Sequence, residues 1–338
     1  KFSREFSELY YVPFLEIYCK AMGTNEYYEQ VLKVITFLDD PHIKAVRLEG
    51  EKWYEIDDVQ DLDIAESIFS EGTEKLHKFQ KRYGGYWRYP KMLDFCYLVN
   101  PYFPNKKLID EMQANFQTLL TQYPSGMHIN SLIAAKNFGL KEPQIIVGNG
   151  AAELINTLKY IAGEKIGLTI PSFNEYVRCF PNSEILYINS KDDNYCLSFN
   201  RIANKLDEVD TMVIISPDNP TGSHLKYDEV IKLLDLAKQK DKQIIFDESF
   251  IDFANNNYTL IDDDILNKYT NLIVIKSISK SYGVPGLRLG VLATGNKDYI
   301  KIINNNLPVW NINSFAEYFL QIINIYKKDY VLGCNKIK

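Results

Sequence analysis

The sequence predicts an α/β fold: a mostly parallel, seven-stranded sheet with helices on both sides, preceded by a short α+β segment. Three observations carry that expectation. Seven short, β-branched apolar runs recur after residue 140, the pattern of strands buried on both faces. Amphipathic stretches of helical period lie between several of them. The chain also changes character near residues 70–85, from segments dense in Tyr, Phe and acid to this regular alternation.

The strand candidates are 144–147, 166–170, 184–188, 211–215, 243–246, 271–275 and 289–292. Helix candidates between them are 151–162, 200–208 and 227–238, the last with Val230, Ile231, Leu233, Leu234 and Leu236 on roughly one face. Two further helices, 105–120 and 314–326, lie outside this core. A few short strands and helices are expected before residue 70, and the chain divides into segments 1–75 and 76–338.

Bulk properties narrow the function. A length of 338 residues exceeds one small domain. A formal charge of −6 argues against a dedicated nucleic-acid binder, which needs a basic surface to displace counterions. Small anionic substrates stay open, since a local Arg and Lys pocket can bind them in an acidic protein. The five cysteines (Cys19, Cys96, Cys179, Cys196 and Cys334) are scattered and lack metal-type spacing, which fits free thiols in a reducing, cytoplasmic setting. No run of about 18 apolar residues offers a membrane span. Lys1-Phe2-Ser3-Arg4-Glu5 has neither a starting Met nor a signal peptide's apolar stretch, so the chain reads as part of a longer one.

Open α/β sheets bind ligands beyond the carboxyl ends of their strands, and the chemically versatile residues collect there. Gly148-Asn149-Gly150 follows the first strand, Ser216-Pro217-Asp218-Asn219-Pro220 the fourth, Asp247 ends the fifth, and Ser277 to Lys280 follow the sixth. Ser277, Ser279 and the later Arg288 suit a phosphate monoester, which a guanidinium can bind through two donors. Lys280 among them suits Schiff-base chemistry. Singly, each has a plainer explanation: a surface loop, a turn rich in Pro and Asn, a helix cap at Asp247, a tight turn opening a helix that also offers an anion site. Together, in this order and at strand ends, they predict one site.

From about residue 83 onward the chain resembles the fold type I, class I/II aminotransferases, closest to the histidinol-phosphate aminotransferase and threonine-phosphate decarboxylase branches. The resemblance rests on Asn100-Pro101 with Pro104, Tyr123-Pro124, Gly150-Ala151-Ala152-Glu153, Pro171-Ser172-Phe173, Asn219-Pro220-Thr221-Gly222, Asp247-Glu248, and Ser279-Lys280 with Arg288. It implies pyridoxal 5'-phosphate, held by Lys280 through a Schiff base, with Asp247 on the pyridine nitrogen, Asn219 on the phenolic oxygen and Phe173 on the ring face. The cofactor phosphate is expected on the amides of Ala151 and Ala152, enclosed by Ser277, Ser279 and Arg288. Tyr123 is expected to reach the phosphate of a neighbouring copy, which implies a homodimer.

Three departures qualify the resemblance. Phe250 stands where many aminotransferases place a tyrosine that also bonds the phenolic oxygen. Tyr83 precedes Gly84-Gly85 where the decarboxylase branch commonly has a histidine. No Arg follows Arg288, so the small-domain arginine of these enzymes has no counterpart before Lys338. Transamination between a small-molecule amino donor and keto acceptor, one of them phosphorylated or phosphonylated, is the leading expectation. Decarboxylation of an amino-acid phosphate is the alternative.

Residues 51–66, from Glu51 through Asp57-Asp58 to Glu66, resemble the closing segment of a nucleotidyltransferase for sugars or phospho-alcohols. That resemblance implies a Mg²⁺ ligand at Asp57 and a bifunctional parent, or nucleotidyl transfer as the main activity. A helix cap at Asp57 or Asp58 explains the same residues.

Overall fold

The computed structural model describes residues 2–37, 43–44, 46–89, 92–95, 97–141 and 144–338, so Cys96 lies outside the described residues. Two compact units divide between Leu93 and Asp94. The boundary expected at 75/76 moves because the helix Gly72–Arg82 folds back on Val59–Phe69, with Arg82 paired to Asp63 and Lys78 Nζ 3.5 Å from Glu66.

In the larger unit all seven expected strands form: β1 Ile145–Asn149, β2 Lys165–Ile170, β3 Glu184–Asn189, β4 Thr211–Ile215, β5 Gln243–Asp247, β6 Leu272–Ser277 and β7 Leu289–Ala293. They build one sheet in the order β1-β7-β6-β5-β4-β2-β3. Only β7 runs antiparallel to its neighbours, β1 and β6. Every residue of β4, β5, β6 and β7 is buried, which is why the centres of these strands read as apolar runs.

Side chains alternate across the sheet and fill two layers. Ile244, Phe246 and Val274 pack with Val230, Leu233 and Phe319 in one. Ile245, Ile273 and Ile275 pack with Leu154, Tyr176 and Ile300 in the other. Truncating Phe246 to Ala would cost about 3–5 kcal/mol. The same alternation carries Asp247 to the layer of Ile245 and Tyr176, and its neighbour Glu248 to the opposite side.

The expected helix 227–238 forms as Tyr227–Gln239, whereas the other helices are shorter than their apolar patterns. The stretch 105–120 breaks into Lys106–Ala114 and Phe116–Thr121 at Asn115, whose backbone leaves helical ψ while its side chain donates to Glu111 O at 3.0 Å. A polar side chain competing for local carbonyls is a known helix interrupter. The stretch 314–326 is α-helical over Ser314–Ile322 and tightens to a 3₁₀ turn at Ile323–Tyr326.

In the smaller unit, helices Val12–Met22 and Glu29–Ile35 pack on a small cluster of Phe6, Val31 and Ile35, and helices Val59–Phe69 and Gly72–Arg82 pack on each other. The strands expected here are absent among its described residues, Glu55-Ile56-Asp57 included. A strand needs a paired neighbour for its amides, and none of those residues supplies one. Among the described residues of the whole chain, no helix is long and apolar enough to cross a membrane.

Candidate functional site

The carboxyl ends of β5 and β6 bring Asp247 and Lys280 to one site. Lys280 stands in a four-residue helix, Ile278–Ser281, directly after β6. Its Nζ lies 3.9 Å from the centre of the Phe250 ring and 5.4 Å from that of Phe173. Burial pushes the amine below the ordinary lysine range, and the Asp247 carboxylate, near enough to act on it, offsets part of that fall. A lowered pKa makes the neutral, nucleophilic amine easier to form, which Schiff-base chemistry needs.

Asp247 is buried and doubly fixed. One oxygen accepts the Tyr176 hydroxyl at 2.7 Å, and the other accepts the Ser249 N–H at 2.8 Å. Tyr176 has no exposed surface, and its own pKa is driven well up by burial and by the Asp247 charge, so it serves as a donor. The sequence reading missed Tyr176. It comes one helical turn after Phe173, and that spacing was the signal available.

β1 leads into the helix Gly150–Thr157, which no side chain caps at its first residue. The Arg288 guanidinium lies against Gly150, 2.8 Å from where a Cβ would stand, and the φ of +76° there favours glycine. Arg288 itself holds a left-handed backbone, φ +57°, at the mouth of this turn. The amides of Ala151 and Ala152, expected to hold the phosphate, thus lie at this uncapped helix start, beside the guanidinium. Glu153 borders that start, accepting the Asn149 N–H at 2.7 Å and Asn311 Nδ2 at 3.1 Å.

The remaining expected residues are distributed as follows. Ser277 is buried, and its N–H donates to Ser249 Oγ at 2.9 Å. The Ser279 hydroxyl is bonded to both Leu289 N–H, at 3.0 Å, and Leu289 O, at 3.2 Å, so much of its capacity ties the lysine turn to β7. Asn219 is partly buried after β4. Beside it, buried Asp218 accepts the hydroxyls of Ser172 at 3.0 Å and Thr221 at 2.7 Å. That pair of bonds joins the Phe173 loop to the Asn219 loop, a role the motif alone did not reveal. Tyr123 is exposed and stacks on Trp310, ring centres 4.6 Å apart.

Asp57, in the smaller unit, has an exposed side chain, and its N–H donates to Asp61 Oδ2 at 3.2 Å. Asp58 is the cap of Val59–Phe69, accepting from Gln60 and Asp61 N–H at 2.7 and 2.9 Å. Among the described residues no group of three or more His, Cys, Asp or Glu is arranged to hold a metal ion, so the Mg²⁺ expectation gains nothing from the geometry.

The chain is 36% identical over 246 residues to the L-serine phosphate decarboxylase of Campylobacter jejuni, covering 68% of this chain and 62% of that protein. It is 28% identical over 330 residues to the CMP-5'-(3-aminopropyl)phosphonate synthase of Streptomyces rubellomurinus, covering 97% of this chain but 52% of that one. The chain thus spans little more than half the length of these relatives. Among solved structures it is similar to the histidinol-phosphate aminotransferase of Clostridium acetobutylicum, with TM-score 0.64, 28% identity and 72% of each chain covered. The family profile of aminotransferase class I and II matches residues 91–323, and the chain therefore belongs to that family of pyridoxal-phosphate enzymes.

Proposed function

We propose that this chain is a pyridoxal-phosphate α-decarboxylase acting on a small amino acid that carries a phosphate or phosphonate. The observation that carries the choice over transamination is Phe250, whose ring faces the Lys280 amine at 3.9 Å. It puts an apolar wall where many relatives that transaminate have a hydroxyl. The 36% identity to a serine phosphate decarboxylase supports the same choice. Transamination stays as the second reading, favoured by the likeness to histidinol-phosphate aminotransferase.

The residues fit the cofactor: a desolvated lysine, a fixed buried carboxylate and an anion cradle converge on one sheet edge. Bound there, pyridoxal phosphate supplies an electron sink for the charge left at the substrate Cα. Lys280 binds it and returns a proton to that carbon. Asp247, fixed by Tyr176 and Ser249, orients and charges the pyridine ring, while Asn219 bonds the phenolic oxygen and Phe173 covers a face. Ala151, Ala152, Ser277, Ser279 and Arg288 hold the phosphate. Exposed Tyr123 serves the cradle of a second copy, so the working unit is a homodimer. The near-complete alignment with a CMP-phosphonate synthase supports reading the smaller unit as part of a nucleotidyl-transfer module in a bifunctional parent.

The deciding experiment gives the cofactor-loaded protein carboxyl-labelled O-phosphoserine and longer phosphono homologues. Labelled CO₂ and the corresponding phospho- or phosphono-amine are expected. Keto-acid formation with the label retained would overturn the decarboxylase reading in favour of transamination.

A further inference from the structure

A helix of four residues cannot hold its own shape in water, because nucleation costs more than one turn returns. Yet Ile278–Ser281 must hold Lys280 still. Part of the support is local: Ile278 O accepts Tyr282 N–H at 3.2 Å, and Ser279 O accepts Val284 N–H at 3.0 Å. Gly283 N–H also donates to Lys280 O at 3.2 Å, and the Ser279 hydroxyl ties the turn to Leu289. Asn100 adds two bonds from a distant part of the chain. Its backbone N–H donates to Lys280 O at 3.0 Å, and its Nδ2 donates to Ser281 O at 2.9 Å. The Asn100 Oδ1 accepts Tyr102 N–H at 2.9 Å, so both ends of its amide are engaged, and the residue is only 2% exposed. Contact continues along the segment. Gly283, at φ +66°, has no room for a Cβ, which would meet Phe103 O at 1.7 Å and Asn100 O at 2.7 Å.

We propose that Asn100 is a positioning residue for Lys280, bracing the carbonyls of Lys280 and Ser281 so that Nζ stays between Phe250 and Phe173. The proposal rests on the reading of Lys280 as the cofactor-binding amine. Without the Nδ2 donor, Ser281 O loses its partner in a buried place, and the turn relaxes to find water. The amine would then leave its aromatic slot. The charged group facing that slot is Asp247 on β5, held by Tyr176 from the helix Asn174–Cys179, and neither changes in the variant.

The test is competitive acylation of Lys280 in cofactor-free protein across pH, read by mass spectrometry of its peptide. The wild-type midpoint is expected below an ordinary lysine, and Asn100→Ala is expected to raise it. A rise of about one unit lowers labelling below the midpoint about tenfold. Asn105→Ala, which removes the cap accepting Leu108 N–H at 3.0 Å, perturbs folding without touching the turn and should leave the midpoint in place. If Asn100→Ala does not fold, Asn100→Ser decides, since its hydroxyl keeps an acceptor for Tyr102 N–H but stands one bond short of the Nδ2 position that donates to Ser281 O. An unmoved midpoint in the Asn100 variant, or an equal shift in Asn105→Ala, overturns the brace alone. An ordinary midpoint in the wild-type chain would overturn the functional reading as well.

Discussion

Lys276, the fifth residue of β6, and Lys280, one turn beyond that strand, are both withdrawn from water, but onto different surroundings. Lys276 Nζ lies 2.8 Å from Asp252 Oδ2 and 3.5 Å from Glu248 Oε1, with a side chain 5% exposed. Burial works against its charge, yet the two carboxylates hold its pKa above the lysine range. Lys280 has aromatic faces and one carboxylate, and its pKa falls. Burial alone therefore does not make a nucleophile. The partner decides whether a buried lysine becomes a permanent cation or a reactive amine.

The largest expected effect tests the reactive member. Lys280→Ala should lose the near-ultraviolet to violet absorption of the lysine-bound cofactor and about 10³-fold or more in turnover, the scale of a lost proton-transfer group. Turnover retained within tenfold would break the comparison at its base.

The structural member should show the reverse. Lys276→Met leaves Glu248 and Asp252 together without a counter-charge, a loss of about 3–5 kcal/mol in urea unfolding. Glu248 softens the blow, because burial already raises its pKa and favours its protonated form. Lys280→Met removes an amine that burial penalises, so its unfolding free energy should stay level or rise. Equal losses in the two variants would mean that both lysines are structural.

The sequence made one of these lysines legible and hid the other. Lys280 sits among Ser277, Ser279 and Arg288, whose chemistry is visible side by side. Lys276 interrupts an apolar strand, and that interruption was its signal, but its partners Asp252 and Glu248 become neighbours only once β5 pairs with β6. The central strands β4 to β7 were readable because burial on both faces favours apolar residues along them, and the edge strand β3, with only Ile188 buried, through its β-branched run. The role of Tyr176, and that of Asn100 beyond its motif, were not, since their bonds to Asp247 and Ser281 cross 71 and 181 residues. Helix 105–120 was overextended because its apolar period continues through Asn115, where side-chain bonding to Glu111 O ends the regular turn.

Opposite pKa directions predict opposite slopes of stability with pH. Lys276, raised on folding, contributes stability in full below the ordinary lysine value of 10.5, and loses it as pH climbs through its folded value. Lys280, lowered on folding, imposes its penalty below its folded value, and that penalty fades as pH rises toward 10.5. On alkaline titration the wild-type advantage over Lys276→Met should shrink above 10.5. Its stability relative to Lys280→Met should already rise below that value. Parallel curves for the two pairs would remove the electrostatic distinction.

The smallest effect isolates the Phe250 ring. A cation over an aromatic face gains about 0.5–1 kcal/mol, so Phe250 slightly favours the protonated amine even while its bulk excludes water. Phe250→Leu keeps most of the apolar wall and removes the quadrupole. The Lys280 pKa should then fall further, by about half a unit, since one unit corresponds to about 1.4 kcal/mol. A rise instead would mean that the ring acts mainly by keeping water out, with leucine admitting solvent to the amine. The contrast between the two lysines would then rest on exclusion of water at Lys280 and on charge pairing at Lys276.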